Sequence, residues 1–204
     1  MYNECIMNNN GDINTKLGLH FLNECDYNLA INALTKAIES ESDNAYIYDL
    51  RGIAYSSIQE YDKSIADFNK AIELDAQLSP AYNNRALSYW AIDMLEEALL
   101  DINNAIELSQ DDDETPEAVY YSNRGLIQYT LGNFKDAILD CNTAILYGCE
   151  TWENFNCLGE AYASLGEYKE ASRYFQCALD FNPNDINVFT NYLSVKNISD
   201  NPRL

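Results

Sequence analysis

Basic side chains are scarce in this chain: 12 Lys and Arg stand against 33 Asp and Glu, a formal net charge of −21 over 204 residues. That balance argues against a nucleic-acid surface, which needs clustered cations to neutralise phosphates. Anionic membranes would repel the chain for the same reason, whereas a basic partner would be steered toward it. Long apolar runs are also missing, so no transmembrane helix is expected. The opening residues Met1-Tyr2-Asn3-Glu4-Cys5 lack the basic region and apolar core of a signal peptide, and a cytoplasmic location is the expectation. Histidine occurs once, at His20. No Ser/His/Asp or Cys/His set and no phosphate-cradling glycine loop can be assembled, so neither catalysis nor a cofactor is expected. The six cysteines include no C-x-x-C pair, and Cys149 and Cys157 have no histidine nearby. Reduced, mostly buried thiols are expected rather than disulfides or a zinc site. The acidic stretch Asp111–Glu114 is not an EF-hand, because Pro116 takes the glycine position and Ser122 the closing glutamate position. It reads as a solvated loop.

What is present is a repeat. Small anchor residues Gly18, Gly52, Ala86, Gly125 and Gly159 are spaced 34, 34, 39 and 34 residues apart. Each is followed at fixed distances by a large apolar residue (Tyr27, Tyr61, Leu95, Phe134, Tyr168) and by two small ones, such as Ala30 and Ala37 or Ala171 and Ala178. Helix axes can approach closely only where side chains are small, so this register predicts stacked helical hairpins in an all-α fold. Within a copy, Ile65, Phe68, Ala71 and Ile72 recur at helical steps. Ser79-Pro80 and Thr115-Pro116 read as an N-cap followed by a first-turn proline. His20 falls where the other copies have Ala54, Ser88, Ile127 and Ala161, which predicts packing between helices, and Cys141 takes the core slot of Phe68 and Phe175. Residues 185–194 carry Ile186, Val188, Phe189, Tyr192 and Leu193 and predict a capping helix; 199–204 reads as a loose tail, as do residues 1–10.

Comparing the copies exposes a charge pattern. Arg51, Arg85 and Arg124 precede the anchor in the three middle copies, where Leu17 and Leu158 stand in the first and last. The same middle copies carry Asp67, Asp101 and Asp140, replaced at the ends by Ala33 and Tyr174. Arg and Asp occur together or not at all, which predicts three ion pairs bridging the helices of a hairpin. Removing one member of a fully buried pair costs about 3–5 kcal/mol.

The last copy reads Phe155-Asn156-Cys157-Leu158-Gly159, Ala161-Tyr162, Gly166-Glu167-Tyr168, Ala171, Phe175, Ala178 and Pro183. It resembles the tetratricopeptide repeat, and the resemblance extends over residues 11–184. Cys25, Gln59 and Asp93 replace the turn glycine that Gly132 and Gly166 keep, and only Pro183 retains the closing proline. The resemblance implies a right-handed superhelix of five stacked helix-turn-helix repeats, with 185–204 as cap and tail. It also implies a concave groove lined by the first helix of each repeat.

The groove positions that the resemblance implies include Asp12, Thr15, Lys16 and Leu19 in the first copy, and Tyr46, Asp49, Leu50 and Ile53 in the second. The candidate peptide-binding residues are Asn83, Asn84, Leu87, Trp90, Ser122, Asn123, Leu126, Tyr129, Asn156 and Glu160, with Glu153 and Cys157 beside them. An amide side chain offers a donor and an acceptor to an extended backbone, and Trp90 and Tyr129 offer apolar contact. Chaperone-binding relatives hold a terminal carboxylate with groove cations; here Lys16 is the only one, which disfavours such a clamp. The expectation is an adaptor or scaffold for a neutral or basic peptide of a partner protein. The alternatives are a self-associating structural module, hence a homo-oligomer, or a chaperone for a secreted cargo.

Overall fold

The computed structural model describes residues 13–40, 43–109 and 117–200. Within them every regular element is helical: α1 Ile13–Asn23, α2 Tyr27–Ser40, α3 Ala45–Ser57, α4 Tyr61–Leu74, α5 Ser79–Ala91, α6 Leu95–Ser109, α7 Glu117–Thr130, α8 Phe134–Leu146, α9 Trp152–Ser164, α10 Tyr168–Phe181 and α11 Ile186–Asp200. None of these helices is long and apolar enough to cross a membrane. The sequence-based readings of residues 1–10, Asp12, the acidic loop, the Thr115-Pro116 cap and residues 201–204 lie outside the described residues. Internal contacts divide the chain into two compact units, Met1–Leu108 and Ser109–Leu204.

In the first unit, Ala30, Leu34 and Ala37 of α2 close on Ile47, Leu50 and Ala54 of α3. In the second, Ala137 and Cys141 of α8 meet Cys157, Leu158 and Ala161 of α9, and Ala171, Phe175, Ala178 and Leu179 of α10 meet Val188 and Val195 of α11. The anchor glycines explain themselves sterically. A methyl group on Gly52 would lie 2.5 Å from the Phe68 ring, and one on Gly159 would lie 2.6 Å from Phe175.

The turns inside the hairpins share one geometry despite their different residues. Cys25, Gln59 and Asp93 adopt φ of 59°, 62° and 63°, close to the 81° and 79° of Gly132 and Gly166. A side chain in this left-handed region is strained by roughly 1–2 kcal/mol. Packing of the flanking helices, rather than glycine, therefore fixes these three turns.

Three local expectations are corrected. Helix α5 begins at Ser79 itself, with Leu78 as its cap residue and no side-chain cap hydrogen bond, so Pro80 sits one position further in. His20 is exposed, its ring 5.6 Å from that of Phe21. The equivalent Ala54 and Ala161 are buried against the second helix of the preceding hairpin, and no described helix precedes α1. Helix α11 runs on to Asp200 instead of ending near residue 194, because Val195 continues the buried stripe begun by Val188.

The expected ion pairs form with bidentate geometry. Arg51 donates Nε and Nη2 to Asp67 at 2.7 Å each, Arg85 to Asp101 at 2.6 and 2.7 Å, and Arg124 to Asp140 at 2.8 and 2.7 Å. The aspartate side chains are only 4–8% exposed. Hydrogen bonds donated to the carboxylates hold the Arg51 and Arg124 guanidinium pKa values above their usual range. For Arg85 burial pushes down, but Asp101 outweighs it. Tyrosines flank the cations: Tyr48 and Tyr55 lie 5.8 Å from Arg51, Tyr82 and Tyr89 5.6 and 5.8 Å from Arg85, and Tyr121 5.2 Å from Arg124. In the last hairpin, where Leu158 is buried in the arginine slot, Tyr162 and Tyr174 stack at 5.4 Å instead.

Candidate functional site

The position three residues before each anchor is polar in all five copies, and four of these residues are buried: Thr15, Asp49, Asn83 and Ser122. A buried polar group needs a partner from the fold. In the first unit Thr15 Oγ1 has no hydrogen-bond partner, whereas Asn83 and Asp49 belong to a chain. Asn83 Nδ2 donates to Asn84 Oδ1 at 3.3 Å, and Asn84 Nδ2 donates to Asp49 Oδ1 at 3.0 Å, tying α5 to α3. Burial pushes the Asp49 pKa up to about 6, against the opposing pull of the Asn84 hydrogen bond. Leu87 and Trp90 are half-buried one and two turns further along α5. Lys16, on α1, is exposed.

In the second unit Ser122 is likewise buried and donates to Asn154 Oδ1 at 2.8 Å. Asn154 is fully buried and passes its amide to the Cys149 carbonyl at 2.8 Å, while Thr151 caps its helix by accepting from the Asn154 N–H. Asn83 and Ser122 are thus enclosed, their polar atoms held within the fold. Asn123 and Leu126 are half-buried on α7. Cys157 is buried, its thiol directed to the Gly125 carbonyl at 3.8 Å, and its nearness together with burial raises the pKa of Cys141.

Tyr129, Asn156 and Glu160 come together. Glu160 of α9, Tyr129 of α7, Ala163, Ser164 and Phe175 line a pocket of about 500 Å³, and Asn191, Ser194 and Val195 of α11 complete it. Burial raises the pKa of Glu160, against the opposing pull of the Asn156 amide. Asn191 Nδ2 reaches Glu160 Oε1 at 3.5 Å. Burial first, then the Glu160 charge, raises the pKa of the Tyr129 hydroxyl. The Asn156 Oδ1 atom is buried with no hydrogen-bond partner.

Sequence reasoning placed Glu160 among the groove residues but missed the parts of the site supplied by Asn191 and Ser194, because α11 carries no repeat register. It also missed Asn154. The tyrosines around the arginines had a readable signal: Tyr48, Tyr82 and Tyr121 all stand three residues before their arginine.

Paired helices with small residues at fixed register, joined by left-handed turns, define a helical-repeat protein. Residues 45–78 and 79–112 match one profile of the tetratricopeptide repeat, and residues 153–185 match another. The chain belongs to the tetratricopeptide repeat family. Solved structures agree on the fold. The pilF protein of Pseudomonas aeruginosa superposes with a TM-score of 0.81 at 17% identity, over 93% of this chain and 84% of that one. MamA gives 0.68 at 24% identity, over 86% and 93% of the two chains. YrrB, described as a TPR protein with an unusual peptide-binding site, gives 0.68 at 24%, over 85% and 87%. No curated protein sequence matches the chain significantly. As a family member the protein is a protein–protein interaction module.

Proposed function

We propose that this module binds an extended peptide segment of neutral or basic character on the faces of its first helices. Each unit offers its own set of contacts: Asn84, Leu87 and Trp90 on α5 in the first, and Asn123, Leu126 and Tyr129 on α7 with Asn156 and Glu160 on α9 in the second. The observation that carries this reading is electrostatic. Asp49 and Glu160 are carboxylates held at or near these faces by amides alone, with no ion pair to either among the described residues. A ligand bearing a carboxylate would add repulsion to that field, whereas a basic segment relieves it. Capture of basic peptides from an arrayed panel, weakened by 0.5 M salt and by Asn84→Ala with Asn123→Ala, is the expected result; salt-indifferent capture of acidic peptides would refute the reading.

A second reading rests on α11, whose outward side leaves Ile186, Phe189 and Leu193 exposed at 79%, 49% and 43%. An apolar outer face on a terminal helix favours self-association. Sedimentation at rising concentration tests it, with loss of any dimer on Phe189→Ser.

A further inference from the structure

The position one residue after each anchor is apolar in four copies: Leu19, Ile53, Leu87 and Leu126, all half-buried. In the fifth it is Glu160, half-buried like the others. A carboxylate at a site that the fold fills with leucine or isoleucine is a cost to folding, since burial disfavours its charge. Nothing in the described structure offsets that cost with charge. Glu160 makes no ion pair, and its side-chain partners are two amides, Asn156 and the distant Asn191 at 3.5 Å. The Asn156 Oδ1 atom nearby is buried without a donor, so the arrangement carries a second unrelieved acceptor. The pocket in front of Glu160, about 500 Å³, is larger than a neutralising water needs. Its other lining residues include Tyr129, Ser164, Ser194 and the apolar Ala163, Phe175 and Val195, and both serine hydroxyls already donate to carbonyls of their own helices. An aromatic wall, a carboxylate and hydroxyl acceptors, with no competing cation, match a donor-rich cation.

We infer that the pocket between α7, α9 and α11 receives one cationic side chain of the bound peptide, with Glu160 as its counter-ion. The inference deepens the basic-peptide reading and rests on it. Arginine suits the pocket best: its planar guanidinium can pair with the carboxylate while its face lies along Tyr129. Asn191, at the edge of hydrogen-bonding distance, is the donor the incoming cation displaces. Helix α11 is then more than a cap, because it supplies a wall of the site.

The test uses the full chain and two acetylated, amidated pentapeptides, one with a central arginine between alanines and one with citrulline there. Citrulline keeps the shape and removes the charge. Titration followed by amide chemical shifts should show the arginine peptide binding about tenfold more tightly than the citrulline peptide. The shifts should centre on Tyr129, Ser164 and Asn191. Glu160→Gln should erase that preference, bringing the arginine peptide down to the affinity of the citrulline peptide. Glu160→Leu should erase it too while raising the thermal midpoint, the opposite of what loss of a structural glutamate would do. Equal binding of the two peptides, or a preference that survives Glu160→Gln, overturns the inference. If the arginine peptide binds in a salt-sensitive way but moves only Asn84 and Trp90, the pocket assignment fails and the basic-peptide reading stands. If neither peptide binds, both fail.

Discussion

The two units treat their carboxylates differently. In the first, Asp67 and Asp101 each face a bidentate arginine, and Asp49 is enclosed beneath Asn84. In the second, Asp140 follows the same rule with Arg124, but Glu160 stays half-buried beside a pocket with only amides for company. The carboxylates that the fold buries at repeat positions, Asp49, Asp67, Asp101 and Asp140, are thus all closed off from solvent. A carboxylate left unclosed at an apolar register position is the one available to a partner.

The largest effect separates paired from unpaired charge. Asp101→Ala strands the Arg85 guanidinium, whose side chain is 17% exposed, and should lower unfolding free energy by about 3 kcal/mol in urea titration. Replacing both members, Arg85→Leu with Asp101→Ala, copies what the first hairpin does with Leu17 and Ala33. The double variant should recover most of the loss, since removing a whole buried pair is close to neutral. A double variant as weak as the single one would show that the tyrosine-flanked arginine matters by itself.

Next in size is the enclosed Asp49. Its folded pKa of about 6 lies above the ordinary 3.8, so the folded chain holds this proton more tightly than the unfolded chain does. Its relative contribution is therefore most favourable below pH 4 and declines as pH rises through about 6. Asp49→Asn keeps an acceptor for Asn84 and removes the titration. Relative to wild type it should be more stable by up to about 3 kcal/mol at pH 7.5, the difference vanishing near pH 4. A pH-independent difference would mean that Asp49 is not enclosed in solution.

Glu160→Leu should stabilise the second unit by about 1 kcal/mol, because it restores the apolar residue found at the other four register positions. Thermal denaturation at pH 7.5 reads this directly. Destabilisation would place Glu160 with the structural carboxylates and remove the contrast.

How much of this was legible in the sequence follows from what repeats. The hairpins were readable because small residues return at one register in five copies, and the Arg–Asp pairs because both members return together in three. The enclosure of Asp49 was not, since it depends on Asn84 in the next copy, a combination that occurs once. His20 misled for a related reason: its register position is buried only where a preceding hairpin covers it. The full length of α11 and its share in the pocket were hidden because that helix has no other copy to compare. Glu160 was legible in principle, as the one departure from four apolar residues.

The smallest expected effect tests the turns that both units share. Gln59 and Gly166 adopt the same left-handed conformation in equivalent turns, one with a side chain and one without. Gln59 is exposed, so its side chain has little packing to lose. Gln59→Gly should remove strain of roughly 1 kcal/mol, offset in part by the greater freedom of glycine in the unfolded chain. The net gain in the urea midpoint should be small and positive, and Gly166→Gln should produce a loss of similar size. If the first change destabilises, the left-handed residue is held by contacts of its side chain, and the helices alone do not set the turn.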